Sequence, residues 1–232
     1  TVVGIIWVIL QPLASMIVIT LVFNVFLEVE SGDIPYPIFV LSALIFWRYF
    51  ATALANGGQS LVSNSVLISK IYFPRIIIPM SACISPIVDF LLSLVVLILV
   101  MPFFGVIPSV RLLLVPLLLI VIILTALSVS LWLTALSVRY RDVNQITPFL
   151  IQIWMYLVPI MYPIERVPES LRTVYSLNPM VGVIESARWI FFEQNQTPNF
   201  TVMLIGMVVV IILLIGGLRF FNRIERSFAD II

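Results

Sequence analysis

The feature that most constrains this sequence is the way its charges gather between long apolar runs. A helix needs about 17–25 apolar residues to cross the roughly 30 Å hydrocarbon layer of a bilayer. Six stretches satisfy that requirement, at about 4–27, 36–56, 76–104, 111–136, 147–163 and 201–221. With 62% apolar and 10% charged residues, the chain carries far more apolar surface than a soluble core needs. The mean hydropathy of +1.22 says the same. The sequence therefore predicts an all-α integral membrane protein, with residues 1–232 forming a single transmembrane domain of six helices.

The segments between spans sort by charge. On one side lie 57–75, 137–146 and the tail, with Lys70, Arg75, Arg139, Arg141, Arg219, Arg223 and Arg226 against Asp142, Glu225 and Asp230, a net of +4. On the other lie 28–35, 105–111 and 164–200, with four arginines against seven acids, a net of −3. Lys and Arg accumulate in cytoplasmic loops, so both termini are expected in the cytoplasm. The chain opens on Thr1, which suggests further residues upstream.

Composition also closes off chemistry. There is no His, one Cys (Cys83) and one lysine, Lys70, with no G-x-x-x-x-G-K-[ST] around it. Histidine-based acid–base catalysis and His-ligated metal sites are excluded, as is P-loop ATP hydrolysis within this chain. No catalytic residue, metal or cofactor is expected here. A net charge of +1 argues against a nucleic-acid partner.

Several polar constellations remain. In GGQSLVSNSVLISKIYFPR (57–75), Gly57 and Gly58 read as the end of the second span. Ser63 or Asn64 is placed to cap a short helix over Val66–Tyr72, and Pro74 blocks its continuation. This segment displays Lys70, Tyr72 and Arg75, and reads either as an interfacial loop or as a docking helix for a soluble partner. Arg48 and Asp89 are charges within spans, where ionisable groups face protein or water. Ser81, Ser85, Asp89 and Ser93 recur every four residues, as either a helix contact or a wet path. Phe46, Tyr49 and Phe50 share one face of the second span, and Phe149, Gln152 and Tyr156 one face of the fifth. Such faces suit lipid, core packing or the stacking of sugar rings. The segment 174–193 holds Asn178, Pro179, Met180, Glu185 and Arg188. Its internal charges make a seventh span a poor fit, so it is expected to form one or two short helices at the outer leaflet, with Pro179 starting the second.

Five stretches, taken in order, resemble the permease subunits of ABC-2 type polysaccharide exporters, the Wzm-like, capsule and teichoic-acid group. They are GIIWVILQPL (4–13), SKIYFPRIIIPMSACISPIVDF (69–90), VRYRDVNQITPFLIQIWMYLVPIMYP (138–163), LNPMVGVIESAR (177–188) and FNRIERSFADII (221–232). The resemblance implies a homodimer in a bacterial inner membrane, with two copies of a soluble ATP-binding cassette subunit that bind ATP and Mg. It implies a lipid-linked, O-antigen-like glycan as substrate. Ser63–Arg75, including Phe73 and Pro74, would be the main coupling helix, and Arg139, Arg141 and Asp142 the second contact. The 174–193 segment would form outer gate helices, and the tail at Phe228–Asp230 would lie at the ATPase junction. That family's amphipathic N-terminal interface helix has no counterpart in the sequence. Alternatives are an ABC-2 permease for a drug or lipid, or a self-contained secondary transporter or channel. The last would require an internal repeat and a coupling-ion site.

Overall fold

The computed structural model describes residues 2–70, 73–140, 142–192 and 200–225. Among these residues the structure is entirely helical and contains no strand. Helix α1 (Val2–Ile19) continues as a π-helix over Thr20–Phe26. Then come α2 (Tyr36–Ser63), the short α3 (Ser65–Lys70), α4 (Ile77–Ile84) and α5 (Ile87–Val100). They are followed by α6 (Val115–Arg139), α7 (Val143–Tyr156), α8 (Glu169–Ser176), α9 (Pro179–Phe191) and α10 (Phe200–Glu225). Among the described residues five helical segments are long and apolar enough to cross a membrane: Ile6–Phe26, Tyr36–Ser63, Ile77–Phe104, Val110–Arg139 and Phe200–Glu225. The third contains a break at Ser85–Pro86 between α4 and α5, because proline lacks the N–H that would continue the ladder.

The fifth expected span, 147–163, takes a different form. Helix α7 has 14 residues, about 21 Å at 1.5 Å per residue. It returns alongside α2, where Trp154 meets Phe50 edge-on at 5.1 Å. A turn at 157–163 then carries the chain to the start of α2, where Tyr36 Oη donates to the Met161 carbonyl at 2.6 Å.

Helix α2 is the buried axis of the fold. It packs most extensively on α6 and also touches α1, α4, α5, α7 and α9. Gly57 and Gly58 do not end it, contrary to expectation. The helix runs through them to Ser63, because they allow α6 to approach. A Cβ on Gly57 would sit 2.0 Å from Ser130 Oγ and 2.9 Å from Cys83 Sγ. Across this close contact Thr134 Oγ1 donates to the Gly57 carbonyl (2.7 Å) and Ser137 Oγ to that of Gly58 (2.9 Å). Small residues and hydroxyls are how helices bind one another where lipid removes the hydrophobic drive. Trp132, too deep for an interfacial belt, joins α6 to α10. Its ring covers Gly216 and Gly217, stacks on Phe220 at 5.0 Å and donates through Nε1 to the Leu213 carbonyl at 2.9 Å.

Candidate functional site

The residues singled out in the sequence fall into three places along α2. At its C-terminal end, α2 turns at Asn64, whose Nδ2 donates to the Ser60 carbonyl (2.8 Å), and α3 begins at Ser65. Lys70, Pro74, Arg139 and Asp142 are exposed there. Phe73 and Arg75 behave differently. Phe73 packs into a small core with Leu61, Ile78, Leu131, Val138 and Phe221. Arg75 reaches the end of α10, where its Nη1 donates to the Glu225 carbonyl at 2.8 Å and its backbone N–H to Glu225 Oε1 at 3.4 Å. Carbonyls at a helix C-terminus lack intrahelical partners and attract cations. Arg75 therefore fastens the loop to the last helix. Tyr72, Arg141 and the tail from Arg226 lie outside the described residues.

Midway along α2, the aromatic face of the second span is core. Phe46 and Phe50 are fully buried and Tyr49 is 3% exposed. Phe46 meets Phe90 and Phe191, and Tyr49 Oη donates to the Cys83 carbonyl at 2.8 Å. Their rings have no face left for a substrate, so they drop out of the candidate glycan contacts. Phe149, Gln152 and Tyr156 on α7 stay exposed along one side. Among the described residues no ion pair joins Arg48 to Asp89, although the two are opposite in sign; Arg48 turns instead to α1. Its Nη2 donates to Gln11 Oε1 on α1, and its Nη1 is buried without a partner. Asp89, Ser85 and Ser81 lie exposed on the outside of the chain. A carboxylate at that depth is costly against lipid, so the face calls for water or protein.

At the N-terminal end of α2, helix α9 locks onto the turn that follows α7. Pro179 opens α9, since its fixed φ suits the first helical position and its absent N–H is not missed there. Asn178 caps the helix by accepting from the Met180 N–H (3.1 Å), while its Nδ2 donates to the Leu157 carbonyl (3.1 Å). It also accepts from Trp154 Nε1 at 3.2 Å. Asn178, Pro179 and the fully buried Met180 thus build the junction.

Arg188 is 1% exposed and the largest fully buried side chain described. Its Nη1 pairs with Glu185 Oε1 (3.0 Å), its Nη2 donates to the Ile160 carbonyl (3.2 Å), and its Cζ lies 3.5 Å from the centre of the Phe39 ring. Burial pushes its pKa down to about 10, which leaves it charged at neutral pH. Burial likewise raises the Glu185 carboxyl, against the pull of Arg188. No sequence rule would have paired Arg188 with Phe39, 149 positions away. The i, i+3 spacing to Glu185 was the one visible sign.

None of these places assembles a nucleophile and base, and the geometry is that of two structured ends joined by one rigid helix. Comparison with known proteins agrees with a transport role. The chain is 28% identical over 230 residues to the O-antigen export system permease protein RfbA of Myxococcus xanthus, covering 98% of this chain and 87% of that one. It is 29% identical to the Klebsiella pneumoniae protein of the same name (99% and 87% covered). It is 22% identical to the polysialic acid transport protein KpsM of Escherichia coli (96% and 86%). Residues 1–192 match the family model described as ABC-2 type transporter, so this membrane protein belongs to the ABC-2 type transporter family.

Proposed function

We propose that this chain is the permease of an ATP-driven exporter that moves a lipid-linked, O-antigen-like polysaccharide across a bacterial inner membrane. The observation that carries this reading is the near full-length similarity to O-antigen export permeases. Two copies pair, and two soluble ATP-binding cassette subunits, which bind ATP and Mg, dock at the end where α2 meets α3. That end faces the cytoplasm, as do both termini. The α7 helix with its following turn completes a sixth crossing. Lys70, Pro74, Arg139 and Asp142 form the surface offered to the ATPase, and Tyr72 and Arg141, which lie outside the described residues, are assigned to the same contact by sequence. Phe73 and Arg75 pass its motion inward, to the α6 packing core and to α10.

The mechanical consequence follows from α2. A helix of 28 residues spans about 42 Å. It is unbroken at Gly57 and Gly58, so displacement of the coupling segment reaches its far end without a hinge. There Tyr36 and Phe39 bear on Met161 and Arg188. Asn178, Pro179, Met180, Glu185 and Arg188 thus belong to an outer gate whose position is tied to α2. The exposed faces at membrane depth, Asp89 with its serines and Gln152 with Phe149 and Tyr156, are the parts that a second copy or the glycan path covers.

The test is to delete the gene, restore it on a plasmid, and score surface polysaccharide and co-purifying proteins. Loss and recovery of a surface glycan, with a P-loop ATPase recovered at about one copy per permease, is the expected result. A chain that purifies alone and dissipates a solute gradient in liposomes refutes the proposal in favour of a secondary transporter. An ATPase partner with unchanged glycan and altered drug resistance refutes the substrate class.

A further inference from the structure

The first membrane-length segment does not stay α-helical to its end. Thr20–Phe26 runs for seven residues as a π-helix, a rare form that bonds across five positions instead of four. Leu27 continues that ladder by donating to the Val22 carbonyl at 3.1 Å. The run stops at Glu28, the one non-glycine residue at positive φ (49°) among the described residues. A left-handed helix end normally brings the following N–H to the carbonyl five positions back, which here is that of Asn24. Val29 N–H reaches one residue further, to the Phe23 carbonyl, at 2.8 Å. The segment thus holds one residue more than an α-helix between the same ends.

Two observations show how weakly this register is fixed. First, no side chain of the run is buried, so core packing does not impose it. Second, Thr20 Oγ1 is enclosed and makes no hydrogen bond. Buried polar groups without partners are rare and call for an explanation. Because the oxygen is enclosed, its partner has to come from the chain itself. Thr125, Thr134 and Thr147, on α-helical stretches, each donate to the carbonyl four positions back at 2.7–2.8 Å. Thr20, at the first π turn, makes no such bond to Met16. The π register has one side-chain clasp of its own, from Asn24 Nδ2 to the Val29 carbonyl at 3.1 Å. The loop beyond has slack, since Gly32 sits at φ +71° with open space around it.

We propose that Thr20–Phe26 is a register switch, π-helical in one state and α-helical in the other. Conversion passes one residue into the loop before α2. It brings Thr20 Oγ1 to the Met16 carbonyl, hands the Val29 N–H to the Asn24 carbonyl and releases the Asn24 side chain. Each register satisfies a group that the other leaves open. One residue is about 100° of turn at 3.6 residues per turn, so Phe26 rotates by about that much while Val2–Ile19 stays in place. Val22 and Phe23 line an apolar groove of about 450 Å³ together with Met155, Tyr156 and Met161. The switch decides which side chains the first segment presents to that groove. It is a property of this chain alone and holds whatever the chain carries.

The test uses the full chain in lipid nanodiscs, labelled copies diluted into unlabelled ones, with spin-label distances read by double electron–electron resonance. One label sits at Phe26→Cys, at the end of the run, or at Ile17→Cys, before it, and the other at Ile120→Cys on α6, all exposed positions. Cys83 is buried and stays unlabelled. The Phe26 pair gives two distances and the Ile17 pair one. Deletion of Val25, an exposed residue of the run, takes out the extra residue and leaves only the α-register distance. Asn24→Ala removes the π clasp and raises the α-register population about fivefold. Thr20→Val removes the hydroxyl that gains a bond only in the α register, and lowers that population about fivefold. Disulfide formation between Val22→Cys and Tyr156→Cys follows the same order, fastest with Thr20→Val and slowest with Asn24→Ala. Should Asn24→Ala fail to fold, the Val25 deletion and Thr20→Val still decide. A single Phe26 distance that no variant moves overturns the switch. So do shifts in the same direction from Asn24→Ala and Thr20→Val, which a merely structural helix end would give. Two distances at Ile17 as well would mean that α1 moves as a whole, and overturn it too.

Discussion

Arg75 offers a sharp test of the proposed coupling between the two ends of α2. The sequence alone places it on a surface, for a partner to touch. The structure turns it inward, where Nη1 donates to the Glu225 carbonyl at 2.8 Å. A hydrogen bond from a charged donor contributes about 1.5–3 kcal/mol net, and partial exposure puts this one at the low end. Favourable placement at the end of α10 adds about 0.3–1 kcal/mol. Arg75→Ala should therefore weaken docking of the loop on α10 by about 2 kcal/mol, roughly 30-fold in the docked population. The global fold is held elsewhere, on α2 and α6. Glu225→Gln leaves the accepting carbonyl in place and touches only the 3.4 Å contact from the Arg75 backbone, so a change below about 0.5 kcal/mol is expected. The readout is amide hydrogen exchange at Ile77 and Ile78, whose N–H groups bond the carbonyls of Pro74 and Arg75. Exchange should rise about 30-fold in Arg75→Ala and stay within about twofold in Glu225→Gln. Export should fall in the first variant and hold in the second. Unchanged exchange in Arg75→Ala together with loss of the ATPase subunit on purification would refute the reasoning and return Arg75 to the surface. Equal damage in Glu225→Gln would show that the carboxylate carries the contact.

Gly57→Ala drives a Cβ to 2.0 Å from Ser130 Oγ and should cost about 1–3 kcal/mol, seen as a lowered melting temperature in detergent. Ser130→Gly in the same chain should recover most of it, and no recovery would mean that the α2–α6 contact is not what limits this position. Arg188→Ala leaves the partly exposed Glu185 without its partner and should cost about 3 kcal/mol, the low end for a buried pair, whereas Arg188→Met/Glu185→Gln should regain much of the loss by the same assay. Trp132→Phe keeps the stack on Phe220 but loses the bond to Leu213, and about 1 kcal/mol of thermal stability should go with it. An impermeant thiol reagent should label Asp33→Cys and Glu169→Cys in intact cells but Lys70→Cys only after permeabilisation, with Cys83 silent because it is buried. The reverse pattern would invert the orientation.

Five of the six expected spans were legible because membrane crossing is a requirement on length and apolarity, and both are local properties of sequence. The helix start at Pro179 was legible for the same reason, since proline's φ and missing N–H act at one residue. The reading failed where a residue's role depended on what lay across from it. Gly57 and Gly58 look like a helix end when read alone, and only the serine and threonine hydroxyls of α6 make them an interface. Phe46, Tyr49 and Phe50 look like Phe149 and Tyr156 in sequence, because an aromatic suits core, lipid and sugar alike. Burial separates the two sets, and burial is set by which helices neighbour α2. Arg48 and Asp89 read only as two charges within spans, and nothing local in the sequence points to Gln11 on α1, which Arg48 reaches.

Sorting the polar residues by what each lacks gives the most direct route from this fold to its function. In the α2–α6 contact the hydroxyls of Thr134 and Ser137 are satisfied within the chain, and substitution there changes stability. Asp89 and Ser85 are exposed within a membrane-length segment, where lipid offers them nothing, so what satisfies them must come from beyond the described residues. Arg188 stands between these cases, with two nitrogens committed and one not. Residues of the first kind hold the fold together, and those of the second kind are, under the proposed function, where the chain would meet water, glycan or its own copy. A variant such as Asp89→Leu separates the two. It removes a charge that makes no ion pair among the described residues, though its field favours the Arg48 guanidinium, so the stability of a single copy in detergent should change by less than about 1 kcal/mol. Export should nevertheless fail if that face lines the path or the pairing surface. Full export from Asp89→Leu would show that the stripe of Ser81, Ser85 and Asp89 plays no part in either.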